Sequence, residues 1–335
     1  MRIAMIAEGD GPNARYRVFA PAEALRRRGH RVLASVWGEM RDPNALLDYD
    51  VVYGWRLHDE FFTRVARLLA DARIGFVWDN DDNLTAVDVK GRPNYKFFTG
   101  LNGQKIFAQQ SALMRLANLV TTPSPGLAEH YRTTTGADVR VVENFVGMTA
   151  PRTAPRKPQQ IAVGWVAHVE HQTDIERLRL QETMERLLER HPHVHVLTVG
   201  CGLGLRSNRY QHIRRVPFEK LPNYVTAFEV GIAPIADSEF NRSRSNIKVK
   251  EYAALGVPWL ASPMGPYAGL GEDQGGRLVA DDRWYEEIEQ LVLDGRARRK
   301  LAKRAAGWGR SQTIEGNVHV WEAVLGEAAQ RAGRL

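Results

Sequence analysis

The 335-residue sequence contains a single cysteine, Cys201. One thiol excludes an internal disulfide and any metal site built from several cysteines. Long hydrophobic runs are missing too, since no stretch approaches the roughly 18 consecutive apolar residues of a membrane-spanning helix. The first seven residues run straight into polar ones, without the pattern of a signal peptide. These absences predict a cytoplasmic protein that associates with a membrane at most peripherally.

The sequence also lacks low-complexity segments and short internal repeats. With 44% hydrophobic and 25% charged residues, a chain of this length suits two globular domains of ordinary size. The formal net charge is +7. Such an excess indicates an anionic partner, for which a nucleotide diphosphate, an anionic membrane face and nucleic acid are the alternatives.

Short apolar segments alternate with amphipathic ones along the first part of the chain. A strand at 1–7, a helix and a strand at 31–36 open a βαβ unit. The pattern repeats with strands at 50–53, 75–79, 119–122 and 139–144. Buried parallel strands joined by helices predict a doubly wound sheet that binds its ligand at the carboxyl ends of the strands.

A proline-containing segment divides the chain. Residues 149–160 carry three prolines and no apolar periodicity, which is typical of an extended linker. A second βα series begins at 161–166, continues with a helix near 174–190, and adds strands at 194–199, 230–234 and 259–261. We therefore predict an α/β fold with two Rossmann-like domains, 1–148 and 161–312, that face a cleft.

The most informative segment runs from Phe240 to Pro258. A loop rich in serine and asparagine leads into a short helix that ends at Gly256, where glycine takes the left-handed closing conformation. The unpaired N–H groups and positive dipole end of such a helix bind phosphate, and Lys248 adds a full charge there. Glu251 lies on the same helical face, where its carboxylate could accept hydrogen bonds from a ribose diol. The alternative is a solvated surface pair of Lys248 and Glu251.

This segment resembles the donor-binding segment of GT-B glycosyltransferases, in the retaining family 4-like group that builds bacterial surface glycans. The pattern there is F-N-x-x-K-S-x-I-K-x-x-E-Y-A-A-L-G-x-P. The matching residues are Phe240, Asn241, Ser245, Ile247, Lys248, Glu251, Tyr252, Gly256 and Pro258, and Arg244 replaces the usual lysine. The larger retaining family carries a glutamate where this chain has Ser243.

The resemblance implies a GT-B fold in which a last helix, within 313–335, crosses back onto the first domain. It implies a hexosyl- or pentosyltransferase that takes a nucleotide-diphosphate sugar as donor, uses no metal or other cofactor and retains the anomeric configuration. The donor-binding residues that follow from it are Arg17, Gly164, Arg244, Ser245, Asn246, Ile247, Lys248 and Glu251, with Lys248 also stabilising the leaving diphosphate.

A second motif follows the strand at 161–166. The resembling group reads roughly G-W-x-G-x-x-x-H-x-x-D there, which His171 and Asp174 match while Ala167 replaces a glycine. The resemblance places this loop at the cleft, where His171 would donate a hydrogen bond to a diphosphate oxygen or a sugar hydroxyl in the transition state. The alternative is that His171 and Asp174 cap the next helix.

Three acids follow the strand at 75–79, in the run Asp79-Asn80-Asp81-Asp82. One interpretation is a D-x-D clamp for Mg²⁺ or Mn²⁺, but that motif belongs to a single-domain architecture. The resembling group instead carries an acidic pair that faces the acceptor, so Asp81 or Asp82 would orient an acceptor hydroxyl or act as the base. A turn capped by aspartates is the third possibility.

The loop after the first strand carries Gly9-Asp10-Gly11 and then Tyr16-Arg17. No third glycine follows, so the Rossmann dinucleotide fingerprint is absent. The resembling group has a Tyr-Arg pair here, which implies that Arg17 holds the donor diphosphate from the opposite wall. A surface arginine is the alternative.

The sequence therefore predicts a glycosyltransferase whose acceptor is a glycan, a lipid-linked sugar or a hydroxylated DNA base. The DNA alternative rests on the basic composition and the many arginines. Two other functions stay open, a catalytically silent GT-B protein that binds nucleic acid and a sugar-nucleotide epimerase or hydrolase on the same fold.

Overall fold

The computed structural model describes residues 1–87, 98–147 and 160–335. We call residues 1–147 the first half and residues 160–335 the second half. The predicted linker at 149–160 lies outside the described residues except for Gln160.

The first half contains a six-stranded sheet in the order β2-β1-β3-β4-β5-β6. Its strands all pair in parallel and are β1 Arg2–Ala7, β2 Arg31–Val36, β3 Val51–Trp55, β4 Gly75–Asp79, β5 Leu119–Thr122 and β6 Val139–Val141. Strands β3 and β4 are buried throughout, as expected of a sheet covered by helices on both faces.

The second half repeats this design in the order β12-β11-β10-β7-β8-β9, again all parallel. The strands are β7 Ile161–Ala167, β8 Val194–Gly200, β9 Tyr210–Ile213, β10 Val230–Ala233, β11 Trp259–Ala261 and β12 Gly276–Leu278. The two outermost strands, β9 and β12, were not predicted from the sequence. The doubly wound α/β fold with two Rossmann-like halves is confirmed.

Helices connect the strands in both halves. They are α1 Pro12–Ala14, α2 Ala20–Arg27, α3 Glu60–Asp71, α4 Gly100–Leu116, α5 Pro125–Thr135, α6 Gln172–Arg177, α7 Leu180–Arg190, α8 Leu221–Val225, α9 Glu239–Arg242, α10 Ile247–Ala254, α11 Trp284–Leu293, α12 Gly295–Ser311 and α13 Ile314–Arg331. A π-helical stretch, Arg15–Phe19, joins α1 to α2. Short 3₁₀ helices lie at Trp37–Glu39, Pro43–Asp48, Leu84–Ala86, Val169–His171, Phe218–Lys220, Gly265–Tyr267 and Glu272–Gln274.

The helix predicted near 174–190 is divided into α6 and α7. Arg179 adopts a left-handed backbone conformation, with a φ of 51°, between them. An L-residue in this conformation cannot continue a right-handed helix, so the chain changes direction there.

The C-terminal helix α13 packs on the first half, against α2, β3 and β4. Its Trp321 is buried with the ring of Tyr53 at a centroid distance of 5.3 Å. No helix within the described residues is long and apolar enough to cross a membrane.

The order of each sheet reverses next to its first strand, between β1 and β3 and between β7 and β10. In open parallel sheets, ligands bind outside the carboxyl ends of the strands at such a switch point. The loops that follow β1, β4, β7 and β10 contribute residues to one crevice between the two halves.

Candidate active site between the two halves

Both halves line this crevice, whose cavity volume is about 60 Å³. The first half contributes Asn13, Tyr16, Asp81, Asp82 and Asn144, and the second half contributes Trp165, Val166, His171, Ala233, Arg244, Ser245, Ile247, Lys248 and Tyr267. Of the predicted site residues, the crevice therefore brings together His171, Asp81, Asp82, Arg244, Ser245, Ile247 and Lys248.

The helix predicted to open a phosphate site is α10, and its first turn faces the crevice through Ile247 and Lys248. Asn246 is the N-cap residue, but its side chain makes no capping hydrogen bond within the described part of the chain. The N–H groups at the start of a helix have no partner in the helix itself. They and the dipole make this end of α10 suited to an anion. The helix ends before Gly256, whose φ of 70° is left-handed as predicted.

Glu251 is buried between the two halves rather than exposed as a surface carboxylate. Its Oε2 accepts a hydrogen bond from Lys248 Nζ at 3.0 Å, and its side chain is 1% exposed. Its Oε1 accepts a hydrogen bond from the hydroxyl of Tyr16, which comes from the π-helical stretch of the first half. Burial and the charge of Glu251 raise the pKa of Tyr16 well above its ordinary value, so the phenol keeps the proton it donates. Both oxygens of Glu251 are thus engaged by protein groups.

Other contacts join the same helix to the first half. Lys250 Nζ donates to Glu143 Oε2 at 2.5 Å and to the Asn144 carbonyl at 3.1 Å. Asn144 Nδ2 donates to Ser245 Oγ at 3.0 Å. Residues 245 to 251 therefore lie at a seam between the halves, and both halves determine the shape of the site.

Ser243 stands where the larger family has a glutamate, and its side chain binds backbone carbonyls. Its hydroxyl donates to the carbonyls of Glu239 and Phe240, both at 2.9 Å. Its own carbonyl accepts a hydrogen bond from Ser124 Oγ of the first half at 2.6 Å. The Ser243 side chain does not line the crevice.

The loop after β7 holds a chain of polar side chains. Asp174 Oδ2 accepts from His171 Nδ1 at 2.7 Å, and Arg244 Nη1 lies 3.1 Å from His171 Nε2. Arg244 Nη2 also donates to Glu170 Oε1 at 3.0 Å. Burial opposes ionisation of Glu170, yet the hydrogen bond from His168 and the charge of Arg244 hold its pKa well below the usual range. The guanidinium of Arg244 is thereby fixed at the crevice.

Burial, followed by the positive charge of Arg244, lowers the pKa of His171, so the ring is neutral at pH 7. Asp174 accepts the Nδ1 proton, which leaves Nε2 to accept from Arg244. In this geometry His171 accepts a hydrogen bond from Arg244 and orients it, and its donation to a diphosphate oxygen or a sugar hydroxyl stays a prediction.

The capping alternative for Asp174 is wrong. Its other oxygen, Oδ1, accepts from the N–H of Ala236 at 2.9 Å and from Asn241 Nδ2 at 2.8 Å. The residue at the N-cap of α6 is His171. Asp174 therefore holds His171 and the loop after β10 together.

The acidic run after β4 separates into three environments. Asp79 is buried and accepts from Arg17 and Thr121. Asp81 Oδ1 accepts from the indole of Trp55 at 2.9 Å. Asp82 lines the crevice and is the acid whose side chain is partly exposed, at 18%. Burial and the neighbouring Asp81 carboxylate raise the pKa of Asp82 to about 7.

A pKa near 7 suits a general base, because the group is then both partly ionised and basic enough to take a proton. Both predicted candidates line the crevice. Asp82 has the more exposed side chain, and Asp81 Oδ1 is bonded to Trp55 and Arg56. No group of three or more His, Cys, Asp or Glu side chains that could hold a metal ion occurs within the described residues.

Two predicted donor-binding residues lie elsewhere. Arg17 is fully buried beneath the crevice, where Nη2 donates to Asp79 Oδ1 at 2.6 Å and Nη1 to Asn144 Oδ1 at 3.0 Å. Gly164 lies in the middle of β7, and a Cβ there would fall 2.1 Å from a ring carbon of Phe228. In this structure Arg17 supports the first sheet and Gly164 admits the Phe228 ring, and the contact of these two residues with a donor stays a prediction.

Sequence reasoning missed three residues of the site. Tyr16 belongs to the Tyr-Arg pair that the resemblance identified, but the arginine was chosen instead of its neighbour. Arg56 and Lys250 gave no motif signal, because their partners are remote in sequence. Arg56 reaches Asp81 and Asp82, and Lys250 reaches Glu143.

No protein-family model matches this chain, and no curated protein does. Solved structures of the same fold include sucrose-phosphate synthase from Thermosynechococcus elongatus, with 14% identity, 97% of this chain and 98% of that chain covered, and a TM-score of 0.67. HepE of Anabaena in complex with UDP-glucose has 12% identity, 97% and 100% coverage, and a TM-score of 0.65. A putative UDP-N-acetylglucosamine 2-epimerase from Listeria monocytogenes has 12% identity, 96% and 95% coverage, and a TM-score of 0.60. These likenesses establish the fold, and the predicted GT-B architecture is confirmed.

Proposed function

We propose that this protein is a glycosyltransferase that moves a sugar from a nucleotide diphosphate to an acceptor hydroxyl. The observation that carries the proposal is that cationic groups and a carboxylate face each other across one crevice. The second half presents Lys248, Arg244 and the first turn of α10, and the first half presents Asp82. Cationic groups suit the diphosphate that leaves, and a carboxylate with a pKa of about 7 suits the proton of an acceptor hydroxyl.

The donor would bind the second half, in a domain that we assign to 161–312. Its diphosphate would meet the N–H groups of Ile247 and Lys248, the ammonium of Lys248 and the guanidinium of Arg244. These groups would supply the positive charge that a metal ion supplies in D-x-D enzymes, so we propose a metal-independent reaction. The solved structure of HepE is a complex with UDP-glucose, which supports a uridine nucleotide as the first donor to test.

Glu251 would receive the ribose of the donor after an exchange of partners. In the structure its Oε1 is engaged by Tyr16. A ribose diol offers the same kind of donor hydroxyl, so it would replace the phenol when the halves separate to admit the ligand. Lys248 would keep its contact with Oε2.

The acceptor would bind the first half, which we assign to 1–148 together with the helix within 313–335. As the acceptor oxygen bonds to the anomeric carbon, the bond from that carbon to the diphosphate oxygen breaks. The acceptor proton passes to Asp82, and the diphosphate leaves with the electron pair. We propose that the configuration is retained, on the resemblance of residues 240–258, so that the acceptor oxygen attacks from the same face that the diphosphate leaves. The acceptor classes are a glycan, a lipid-linked sugar and a hydroxylated DNA base, and a lipid-linked acceptor would bring the protein to a membrane surface.

Replacing Lys248 by glutamine should weaken UDP-glucose binding about 10- to 100-fold. A hydrogen bond to a charged group contributes about 1.5–3 kcal/mol, which is this range of affinity. Isothermal titration calorimetry checks the result, with Lys300→Gln as the control because Lys300 is 62% exposed and only 3.8 Å from a surface carboxylate. Equal affinities of the wild type and Lys248→Gln would remove Lys248 from the donor site.

Replacing Tyr16 by phenylalanine should strengthen UDP-glucose binding about 2- to 10-fold. The ribose would no longer compete with a hydrogen bond of about 0.5–1.5 kcal/mol for Glu251. The same titration measures this, and the double variant with Glu251→Gln should lose the gain. An unchanged or weaker affinity in Tyr16→Phe would contradict the exchange of partners.

An epimerase acting on a sugar nucleotide is the second candidate. The observation that favours it is the structural likeness to a putative UDP-N-acetylglucosamine 2-epimerase, together with a carboxylate of pKa about 7 that could remove a carbon-bound proton. Incubation with UDP-N-acetylglucosamine and no acceptor separates the two. An epimerase yields a product of unchanged mass and new stereochemistry, whereas a transferase leaves the nucleotide sugar intact.

A further inference from the structure

Arg56, the residue that follows β3, joins the two carboxylates of the acidic run. Its Nε donates to Asp81 Oδ1 and its Nη2 donates to Asp82 Oδ2, both at 2.6 Å. A guanidinium has a planar fork of donors, so one side chain fixes two carboxylates at a set distance. The indole of Trp55 donates to the same oxygen of Asp81 and completes the arrangement.

The backbone of Arg56 is also held in an uncommon conformation. Its φ is 58°, in the left-handed region that a non-glycine residue seldom adopts. The Arg56 N–H donates to the Asp79 carbonyl at 2.8 Å, and its own carbonyl lies 2.9 Å from His58 Nδ1. The guanidinium lies over the Trp55 ring at 4.8 Å from its centroid. Strained residues of this kind concentrate at functional sites, where the surroundings hold them in place.

We propose that Arg56 is a positioning residue that directs Asp82 into the crevice and favours its anionic form for proton transfer. Oδ2 of Asp82 accepts one hydrogen bond from Arg56 at 2.6 Å and another from Asn13 at 3.4 Å. Among the described residues no side chain donates to the other oxygen, Oδ1. That oxygen is therefore the one available to an acceptor hydroxyl. This inference rests on the proposed transferase function and deepens it.

Charges on both sides of the crevice act on Asp82. From the first half, Asp81 disfavours its ionisation and Arg56 favours it. From the second half, Arg244 favours ionisation and Glu170 disfavours it. Burial is the largest influence, and it raises the pKa. Two adjacent carboxylates cannot both ionise easily without a cation between them, and Arg56 is the cation in contact with both.

His171 and Lys248 also line the crevice opposite Asp82. His171 is neutral at pH 7 for the reasons given above, and Lys248 is paired with Glu251 at 3.0 Å. Neither is bonded to Asp82 within the described part of the chain. Asp81 and Arg56 therefore provide two charges of opposite sign from the first half that substitution can remove separately.

Removing these charges should move the pKa of Asp82 in opposite directions. Arg56→Gln removes the positive charge and should raise it by about one unit or more, and Asp81→Asn removes the negative charge and should lower it by a similar amount. A base works only when ionised, so activity is lost as the pH falls through its pKa. The acid limb of the kcat/KM profile should move to higher pH in Arg56→Gln and to lower pH in Asp81→Asn.

Arg56→Lys distinguishes the effect of Arg56 on the orientation of Asp82 from the effect of its positive charge. A lysine keeps the positive charge but cannot bind two carboxylates with one planar fork. The acid limb should stay near its wild-type position, and kcat should fall because Asp82 is no longer held. Arg64→Gln is the matched control, because Arg64 lies on α3 of the same half and stacks on the surface ring of Phe61. Arg64→Gln should change neither the position of the acid limb nor kcat.

The test that stands apart from sugar transfer is a carboxyl-carbon NMR titration of aspartate-labelled protein. Asp82→Asn identifies the Asp82 resonance, and thermal melting verifies that each variant is folded. The expected result is a pKa near 7 in the wild type, a higher value in Arg56→Gln, a lower value in Asp81→Asn and little change in Arg56→Lys. An Asp82 pKa that is the same in the wild type, Arg56→Gln and Asp81→Asn would overturn the proposal. If these shifts occur but no transfer is detected in any protein, the transferase function fails and the effect of Arg56 on Asp82 stands.

Discussion

Replacing Asp82 by asparagine is expected to lower the rate of sugar transfer by about 100- to 10,000-fold, the range that a positioned general base contributes. An amide has nearly the same shape as a carboxylate but cannot take the acceptor proton. Because Asp82 belongs to the first half and the proposed donor groups belong to the second, affinity for UDP-glucose should stay within about a factor of two. Initial rates under saturating donor, together with calorimetric donor binding, measure the two effects separately.

The matched control for this variant is Asp273→Asn, since Asp273 is 89% exposed at the surface of the second half. It should transfer sugar at the wild-type rate. If Asp82→Asn also retained a rate within threefold of the wild type, Asp82 would not be the base. A parallel loss of donor affinity would mean that Asp82 contacts the donor.

Replacing Arg17 by methionine is expected to lower the free energy of unfolding by about 3–5 kcal/mol, the usual cost of breaking a buried ion pair from one side. Arg17 and Asp79 are both fully buried, and two hydrogen bonds at 3.0 and 2.6 Å join them. The guanidinium also donates to the Val142 carbonyl at 2.5 Å and lies over the ring of Trp321 at 4.9 Å from its centroid. Methionine fills the space but leaves the carboxylate of Asp79 without its cation.

Urea unfolding followed by tryptophan fluorescence and circular dichroism measures this loss. The double variant with Asp79→Asn should recover part of it, because the uncompensated buried charge is removed. Arg26→Met serves as the surface control, since Arg26 lies near the exposed end of α2 and donates a hydrogen bond to the Val32 carbonyl. Wild-type stability combined with lost donor affinity in Arg17→Met would contradict the structural role and return Arg17 to the donor site.

Much of the fold could be predicted from the sequence because buried parallel strands leave a strong local signal. Strands β2, β4, β5 and β11 have the predicted bounds, and most others differ by one or two residues. Strands β9 and β12 were missed because they occupy the two edges of the second sheet. There Tyr-Gln-His-Ile and Gly-Arg-Leu carry polar or small residues, and pairing with a neighbouring strand determines their conformation rather than local preference.

The candidate site was predictable where function depends on local backbone geometry. The first turn of α10 and Lys248 needed only a helix start and a helical period to be placed correctly. The environment of Glu251 was not predictable, because its second partner, Tyr16, lies 235 residues away in the chain. The same applies to Arg17, since nothing in the local sequence indicates that Asp79 and Trp321 surround it. Long-range contacts decided which of two adjacent residues, Tyr16 or Arg17, reaches the second half.

The most direct test of the central claim is a mass-spectrometric assay of sugar transfer by the wild-type protein. Purified protein is incubated with a panel of nucleotide sugars, UDP-glucose first, and with glycan, lipid-linked sugar and hydroxymethylated DNA acceptors. The expected result is an acceptor that gains the mass of one sugar residue, an equal amount of released nucleotide diphosphate, and loss of both products in Asp82→Asn. Consumption of no nucleotide sugar with any acceptor, or conversion to an epimer of the same mass without transfer, would contradict the account.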